Sequence, residues 1–263
     1  MILADYHIHT TYCDGKNTPR EMIEAAVAKG FSALGFSVHA YTHFDTSYCI
    51  RKEDTARYLD ELSALKEEYR RSIRILIGAE VDAYADTPKE PFDYLIGSAH
   101  YVRKNGRYFD VDASPEITKE TIATAFQGDG DAYAEAYFEA LEEVARHKPA
   151  IIGHFDLLTK FDETETLIDT ASPRYRRAWQ KAADTLLLLR VPFEINTGAI
   201  SRGWRTTPYP SGEILTYLLE RGATFLLSGD AHSTEGIGYR FDEAEAYAHR
   251  FGVKELVNHF VQF

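Results

Sequence analysis

The chain has 263 residues, 44% hydrophobic and 27% charged, with two cysteines and a formal charge of −12. That composition suits a globular protein with a substantial core, and the acidity argues against a polynucleotide partner, since phosphate backbones are gripped by clustered Lys and Arg. No apolar run is long enough to span a bilayer, Met1–Asp5 lacks the regions of a signal peptide, and Cys13 and Cys49 make no disulfide framework, so no membrane association and a reducing cytoplasm are expected.

Apolar strand-like runs alternate with helix-period stretches from end to end. The first strand, near 2–7, runs into Asp5-Tyr6-His7-Ile8-His9, and Asp14-Gly15 follows in the next loop. His7 and His9 stand at i and i+2, so their side chains leave one face and can share a cation, although an ordinary pair of histidines has the same spacing. Asp14-Gly15 alone reads as turn chemistry rather than as a ligand. A helix near 19–29 starts at Thr18-Pro19-Arg20-Glu21, with Thr as N-cap, Pro at N1 and Glu at N3. A strand near 31–38 leads to His39, and the Ala40–Cys49 loop beyond it carries His43.

A helix near 53–70 precedes a strand near 73–80 that ends on Glu80. A carboxylate there is buried at a cost unless something neutralises it, and its two oxygens can bridge two cations. Asp82 and Asp86 sit in polar context and read as solvated. The strand near 92–99 leads to His100, with Arg103 just past it. The polar stretch 101–135 reads as an excursion over the mouth, within which a helical stretch begins near 115 and runs to 147. The strand near 150–154 ends on His154, followed by Lys160. After a helix near 173–189, the strand near 191–196 closes with Glu194-Ile195-Asn196, and Arg202 lies in the following loop. A helix near 211–221 and a strand near 223–228 lead to Asp230 and His232, again at i and i+2, before a last helix near 240–250.

Strand–helix alternation predicts a parallel α/β sheet with right-handed crossovers, and about seven strands at this length predict a closed or nearly closed barrel. No linker or charge run divides the chain, so one domain, residues 1–263, is expected. Singly, each polar strand end has a bland explanation. Together they describe one mouth, because catalytic residues of barrels come from the carboxyl ends of several strands. The prediction is a metal site.

The chain resembles the PHP (polymerase and histidinol phosphatase) superfamily, within it the histidinol-phosphatase branch. The resemblance rests on Asp5–Thr10, Cys13-Asp14-Gly15, Phe36–His39, Gly78–Asp82, Ser98-Ala99-His100, Gly153–Phe161, Glu194–Gly198 and Ser228–His232. It implies a distorted (β/α)7 barrel with three divalent ions (zinc, iron or manganese) at the C-terminal ends of the strands. It assigns His7, His9, Glu80 and Asp230 to one ion, Glu80, His100 and His154 to a second, and Asp14, His39 and His232 to a third. The implied activity is hydrolysis of L-histidinol phosphate by attack of a metal-bridging hydroxide, with Glu80, Asp230 and His232 as catalytic groups. Lys160, Arg202, Arg103 and His43 are the candidates for holding this small phosphorylated substrate. The branch commonly carries Asn-Thr-Ser-Gly after the sixth strand, whereas Asn196-Thr197-Gly198 stands here, which bears on Arg202. Two alternatives share much of the motif set: another PHP phosphoesterase acting on a small nucleotide or phosphotyrosine, and an amidohydrolase-type hydrolase. The third group, Asp14, His39 and His232, favours phosphoester chemistry over the amidohydrolase.

Overall fold

The computed structural model describes residues 2–259. Seven parallel strands form the sheet: β1 (Ala4–Ile8), β2 (Ala33–His39), β3 (Arg74–Asp82), β4 (Tyr94–Ser98), β7 (Ile151–Ile152), β8 (Phe193–Asn196) and β9 (Phe225–Ser228), neighbours in that order. A separate antiparallel hairpin, β5 (Tyr101–Lys104) and β6 (Arg107–Asp110), interrupts the series between β4 and β7. The helices are α1 (Pro19–Ala28), α2 (Thr55–Glu68), α3 (Pro115–Ala125), α4 (Gly130–Glu143), α5 (Pro173–Leu187), α6 (Gly198–Ser201), α7 (Gly212–Glu220) and α8 (Phe241–Arg250). The α1 start is the expected capping box, with both reciprocal hydrogen bonds between Thr18 and Glu21 present.

Two expectations about 101–147 change. The single helical stretch divides at Gln127-Gly128, both in left-handed backbone at φ 57 and 81, which ends α3 and lets Asp129 cap α4. The polar excursion contains the β5–β6 hairpin, whose Asn105-Gly106 turn also takes positive φ at both residues, the pairing that suits tight hairpins.

The sheet curls until β1 meets β9. One parallel bridge, Ile8 to Ala231, joins them, with Ala231 N donating to His7 O at 3.0 Å and His9 N to Ala231 O at 2.9 Å. Below that bridge, side chains continue the seam. Asn258 donates to Ala4 O and Leu227 O and accepts from Leu227 N. Asp5, fully buried, accepts from Gly229 N at 3.0 Å and Gly238 N at 3.3 Å. The result is the distorted seven-stranded barrel expected for this chain.

Inside the barrel a small cluster of Ala4, Tyr6, Ala33, Leu76, Tyr94, Ile96, Ile151 and Leu226 fills the base. Tyr94 occupies the axis and donates to Tyr6 O at 2.6 Å. A Cβ on Gly35 or Gly78 would lie 2.5 Å from its ring or hydroxyl, so those glycines make the space. The larger apolar cluster packs between strands and outer helices. Register along β1 is irregular: Asp5 pairs with Leu34 but Ile8 with Phe36. Between these pairs two residues on β1, Tyr6 and His7, oppose one on β2, Gly35, a bulge that lets Tyr6 serve the base while neighbouring His7 turns to the mouth.

Candidate metal centre

The polar strand ends do converge above that apolar base. Glu80, at the end of β3 and 1% exposed, sits at the centre. Its Oε2 lies 3.1 Å from His7 Nε2, 3.5 Å from His9 Nε2 and 3.1 Å from His39 Nδ1. Its Oε1 lies 3.2 Å from His154 Nε2 and 3.4 Å from His100 Nε2. Asp230 Oδ1 completes one side, 3.7 Å from His7 Nε2 and 3.4 Å from His9 Nε2. At the rim, Asp14 stands 3.6 Å from His39 Nε2 and 3.2 Å from His232 Nε2.

Three sets of side chains are spaced to hold cations: His7, His9 and Asp230; His39, Glu80 and His100; and His9, Asp14, His39 and His232. The sets contain eight of the nine expected ligand residues, and the ninth, His154, stands 3.2 Å from Glu80 Oε1, so all nine meet at one mouth. The sets differ from those the resemblance implies: Glu80 is absent from the first and His154 from the second, and His39, placed by the resemblance at the third ion alone, also faces Glu80 through Nδ1, so its two nitrogens address two sets.

The chemistry of these atoms fits a metal. His7 Nε2, His9 Nε2 and both Glu80 oxygens are buried and make no hydrogen bond, despite their mutual proximity. Buried polar atoms without partners are rare and costly, and a shared divalent cation satisfies all of them together. Burial and the adjacent His232 and His39 rings push His9 down to about 3, which keeps its ring neutral and able to ligate. His7 moves the opposite way. Burial opposes its charge, but Glu194, Glu80 and Asp230 outweigh burial, and a field that favours imidazolium there also favours a metal cation. Glu80 stays well below the usual carboxylate range: burial works against ionisation, and His7, His100 and His39 overcome it.

Further side chains brace the ligands. Glu194 Oε1 accepts from His7 Nδ1 at 2.6 Å, with both side chains 0% exposed. Asn196 Nδ2 donates to Glu194 Oε2 at 3.0 Å. Arg202 donates to the Asp230 carboxylate at 3.0 Å and to its carbonyl at 3.1 Å. That grip matters because Asp230 adopts left-handed backbone at φ 46, uncommon outside glycine. Asp82 corrects an expectation: it is 3% exposed rather than solvated, and its carboxylate accepts from Tyr84 N and His100 N, fixing the approach to His100. Asp86 is exposed as expected. Sequence reasoning gave Glu194 no role, although its i, i+2 spacing from Asn196 repeats that of His7 and His9.

A cavity of about 260 Å³ opens above the ligands, lined among others by Asp45, Tyr48, Tyr101, Asp110, Asp112, Lys160 and Arg202. Its roof is the Ala40–Cys49 loop packed on the β5–β6 hairpin, with Phe44 stacked on Tyr108 at 3.9 Å between centroids. Lys160, 7% exposed, donates to Asp112 Oδ2 and O, both at 2.8 Å. This holds Asp112 low in spite of burial. Lys160 and Arg202 thus reach the cavity. Arg103 and His43 do not line it: both are exposed, Arg103 lying over the Tyr84 ring and His43 against Phe44 and Tyr108. Asp156, just past His154, is fully buried and accepts from Ser211 N at 3.0 Å.

Comparison with known proteins agrees with this geometry. Residues 5–198 match the family described as PHP domain. The chain belongs to the PHP family. A probable histidinol-phosphatase of Deinococcus radiodurans is 30% identical over 257 residues, covering 92% of this chain and 91% of that protein. The histidinol-phosphatase of Bacillus subtilis is 26% identical over 266 residues, covering 92% and 98%. The crystal structure of histidinol phosphate phosphatase from Lactococcus lactis, complexed with zinc, L-histidinol and phosphate, superimposes with a TM-score of 0.75. It is 21% identical, covering 96% of this PHP chain and 95% of the other, and it supports the barrel fold.

Proposed function

We propose that residues 1–263 form one PHP phosphoesterase domain that hydrolyses L-histidinol phosphate to L-histidinol and phosphate. The observation that carries this reading is the meeting of nine ligand-type residues, Glu80 at their centre, under a cavity that also presents Lys160 and Arg202. Full-length similarity to histidinol-phosphatases supports the substrate. Three divalent ions (zinc, iron or manganese) are the proposed complement. His7, His9, Glu80 and Asp230 hold one, Glu80, His100 and His154 a second, and Asp14, His39 and His232 the third. Mixed imidazole and carboxylate donors suit all three metals. The free thiols Cys13 and Cys49 support a cytoplasmic setting.

Bound divalent cations supply Lewis acidity toward the phosphoryl oxygens and lower the pKa of water to about 7. The protein's own groups do the rest. Asp230 is held ionised, since Arg202 and the His7 and His9 rings outweigh its burial, which suits it to hold a cation. Lys160 and Arg202, each aimed by a carboxylate, hold the phosphoryl oxygens as charge redistributes in the transition state. The carboxylates Asp45, Asp110 and Asp112 on the cavity wall suit an alcohol that carries an amine and an imidazole.

The test is phosphate release from histidinol phosphate, a nucleoside monophosphate, phosphotyrosine and 4-nitrophenyl phosphate, each with zinc, manganese or iron(II) restored. Histidinol phosphate is expected to give the highest kcat/KM. Equal rates on all four would defeat the substrate assignment and leave the phosphoesterase.

A further inference from the structure

The imidazoles of the metal centre differ in what stands behind them. His9 Nδ1 has the Cys13 thiol at 3.6 Å and the Asp14 carboxylate no nearer than 3.8 Å, and His154 Nδ1 is buried with no hydrogen-bond partner. His100 Nδ1 lies 3.6 Å from Asp82 without a hydrogen bond. His7 alone among these four is backed by a carboxylate in short contact, Glu194 at 2.6 Å. Glu194 is itself held: Asn196 Nδ2 donates to its other oxygen, and Gly198 N donates to Asn196 Oδ1 at 2.8 Å.

The same segment then turns and braces the opposite ligand. Gly198 opens α6, Arg202 follows its last residue, and the guanidinium grips Asp230. A Cβ at Gly198 would lie 2.6 Å from Asp230 Oδ2, so glycine is what lets this turn pass so close. His7 and Asp230 face one another across a single cation set, and residues 194–202 hold both from behind.

We propose that Glu194, fixed by Asn196, is a positioning residue that makes His7 an Nε2 donor, and that this brace renders the His7–His9–Asp230 position the tightest of the metal sites. The proposal rests on the metal-centre reading above. A carboxylate on Nδ1 pins that proton in place, leaves the Nε2 lone pair toward the mouth and raises its basicity. The remaining positions lack such a brace on the rings compared above and are the first to empty.

The test is metal content of purified full-length protein during stepwise chelation, with cobalt(II) as a spectroscopic substitute. Wild type is expected to keep one ion after the others are lost. Glu194→Gln is expected to weaken that ion about 10- to 100-fold, with a changed cobalt d–d spectrum and the other sites unaffected. Asn196→Ala, which leaves the carboxylate but frees it, shifts the same ion by less, and covers the case in which Glu194→Gln does not fold. Asp156→Asn, also a buried carboxylate but bonded to Ser211 N, serves as control and leaves metal affinity unchanged. Retention of all ions by both Glu194→Gln and Asn196→Ala, or equal loss in Asp156→Asn, overturns the proposal. Wild-type protein that takes up no ion overturns it together with the metal-centre reading.

Discussion

The floor and the roof of the cavity are built on opposite terms. The floor is polar, almost wholly buried and cross-braced: nearly every ligand touches Glu80 or Asp14, and Glu194, Asp82 and Arg202 hold His7, His100 and Asp230 from behind. The roof is aromatic and partly exposed, a loop and a hairpin joined by rings such as Phe44 and Tyr108. Precise placement of charge belongs on rigid strand ends, whereas discrimination between leaving groups can be entrusted to loops. The difference teaches where the chain concentrates its geometric demands.

Substitutions can break that contrast, beginning with the floor. Glu80→Gln weakens a donor on which the ligand sets converge. It is expected to lower kcat by at least about 10³ toward every phosphate ester, several kcal/mol of transition-state stabilisation. Chelation of the wild type is expected to match it, and added zinc or manganese to restore only the latter. Activity within tenfold of wild type would show that the floor is not catalytic. Arg202→Lys comes next. An ammonium lacks the two-nitrogen fork with which Arg202 reaches both the carboxylate and the carbonyl of Asp230, and about a 10²-fold loss in kcat/KM is expected.

Lys160 sits between the two regions, and Lys160→Met is expected to cost roughly tenfold to 10²-fold, mainly as a rise in KM for phosphate esters. A purely structural ion pair with Asp112 would instead leave KM alone and lower thermal stability. On the roof, Tyr108→Ala removes the stack on Phe44, worth about 1 kcal/mol of local packing. It is expected to change kcat/KM for histidinol phosphate while leaving 4-nitrophenyl phosphate within about threefold, and His43→Ala or Arg103→Ala to change neither beyond about twofold. An equal fall on both esters would mean that the roof shapes the floor.

The smallest effect is on stability and lies outside both regions. Burial pushes Asp162 up to about 6. A carboxyl raised on folding adds stability at pH below its unfolded value near 3.8, and that contribution is lost as pH rises through 6. Asp162→Asn is expected to flatten this slope and gain about 1 kcal/mol at pH 8 relative to pH 4, read by urea denaturation.

Much of the floor was legible in the sequence because a strand has a period of two and an end. His7 with His9, and Asp230 with His232, announced shared faces by spacing alone. Glu80 announced itself as a carboxylate closing an apolar run. Asp82 was misread for the same local reason: its sequence neighbours are polar, but the atoms that bury it belong to β4 and to His100, whose N–H it accepts. The roof was less legible. Asn105-Gly106 marks a hairpin turn, yet that the hairpin packs against the Ala40–Cys49 loop, and that Arg103 and His43 do not line the cavity, depends on contacts between segments about sixty residues apart.

Local order therefore determined the alternation of strands and helices, the parallel barrel and the gathering of polar residues at the strand ends, since those follow from hydrophobic period and chain connectivity. Tertiary structure decided which oxygen of Glu80 faces which imidazole, how the β1 bulge turns His7 to the mouth beside Tyr6, and that Glu194 stands behind His7. Those are distances between side chains far apart in the chain. They are set by how the closed barrel packs, and no spacing along one strand encodes them.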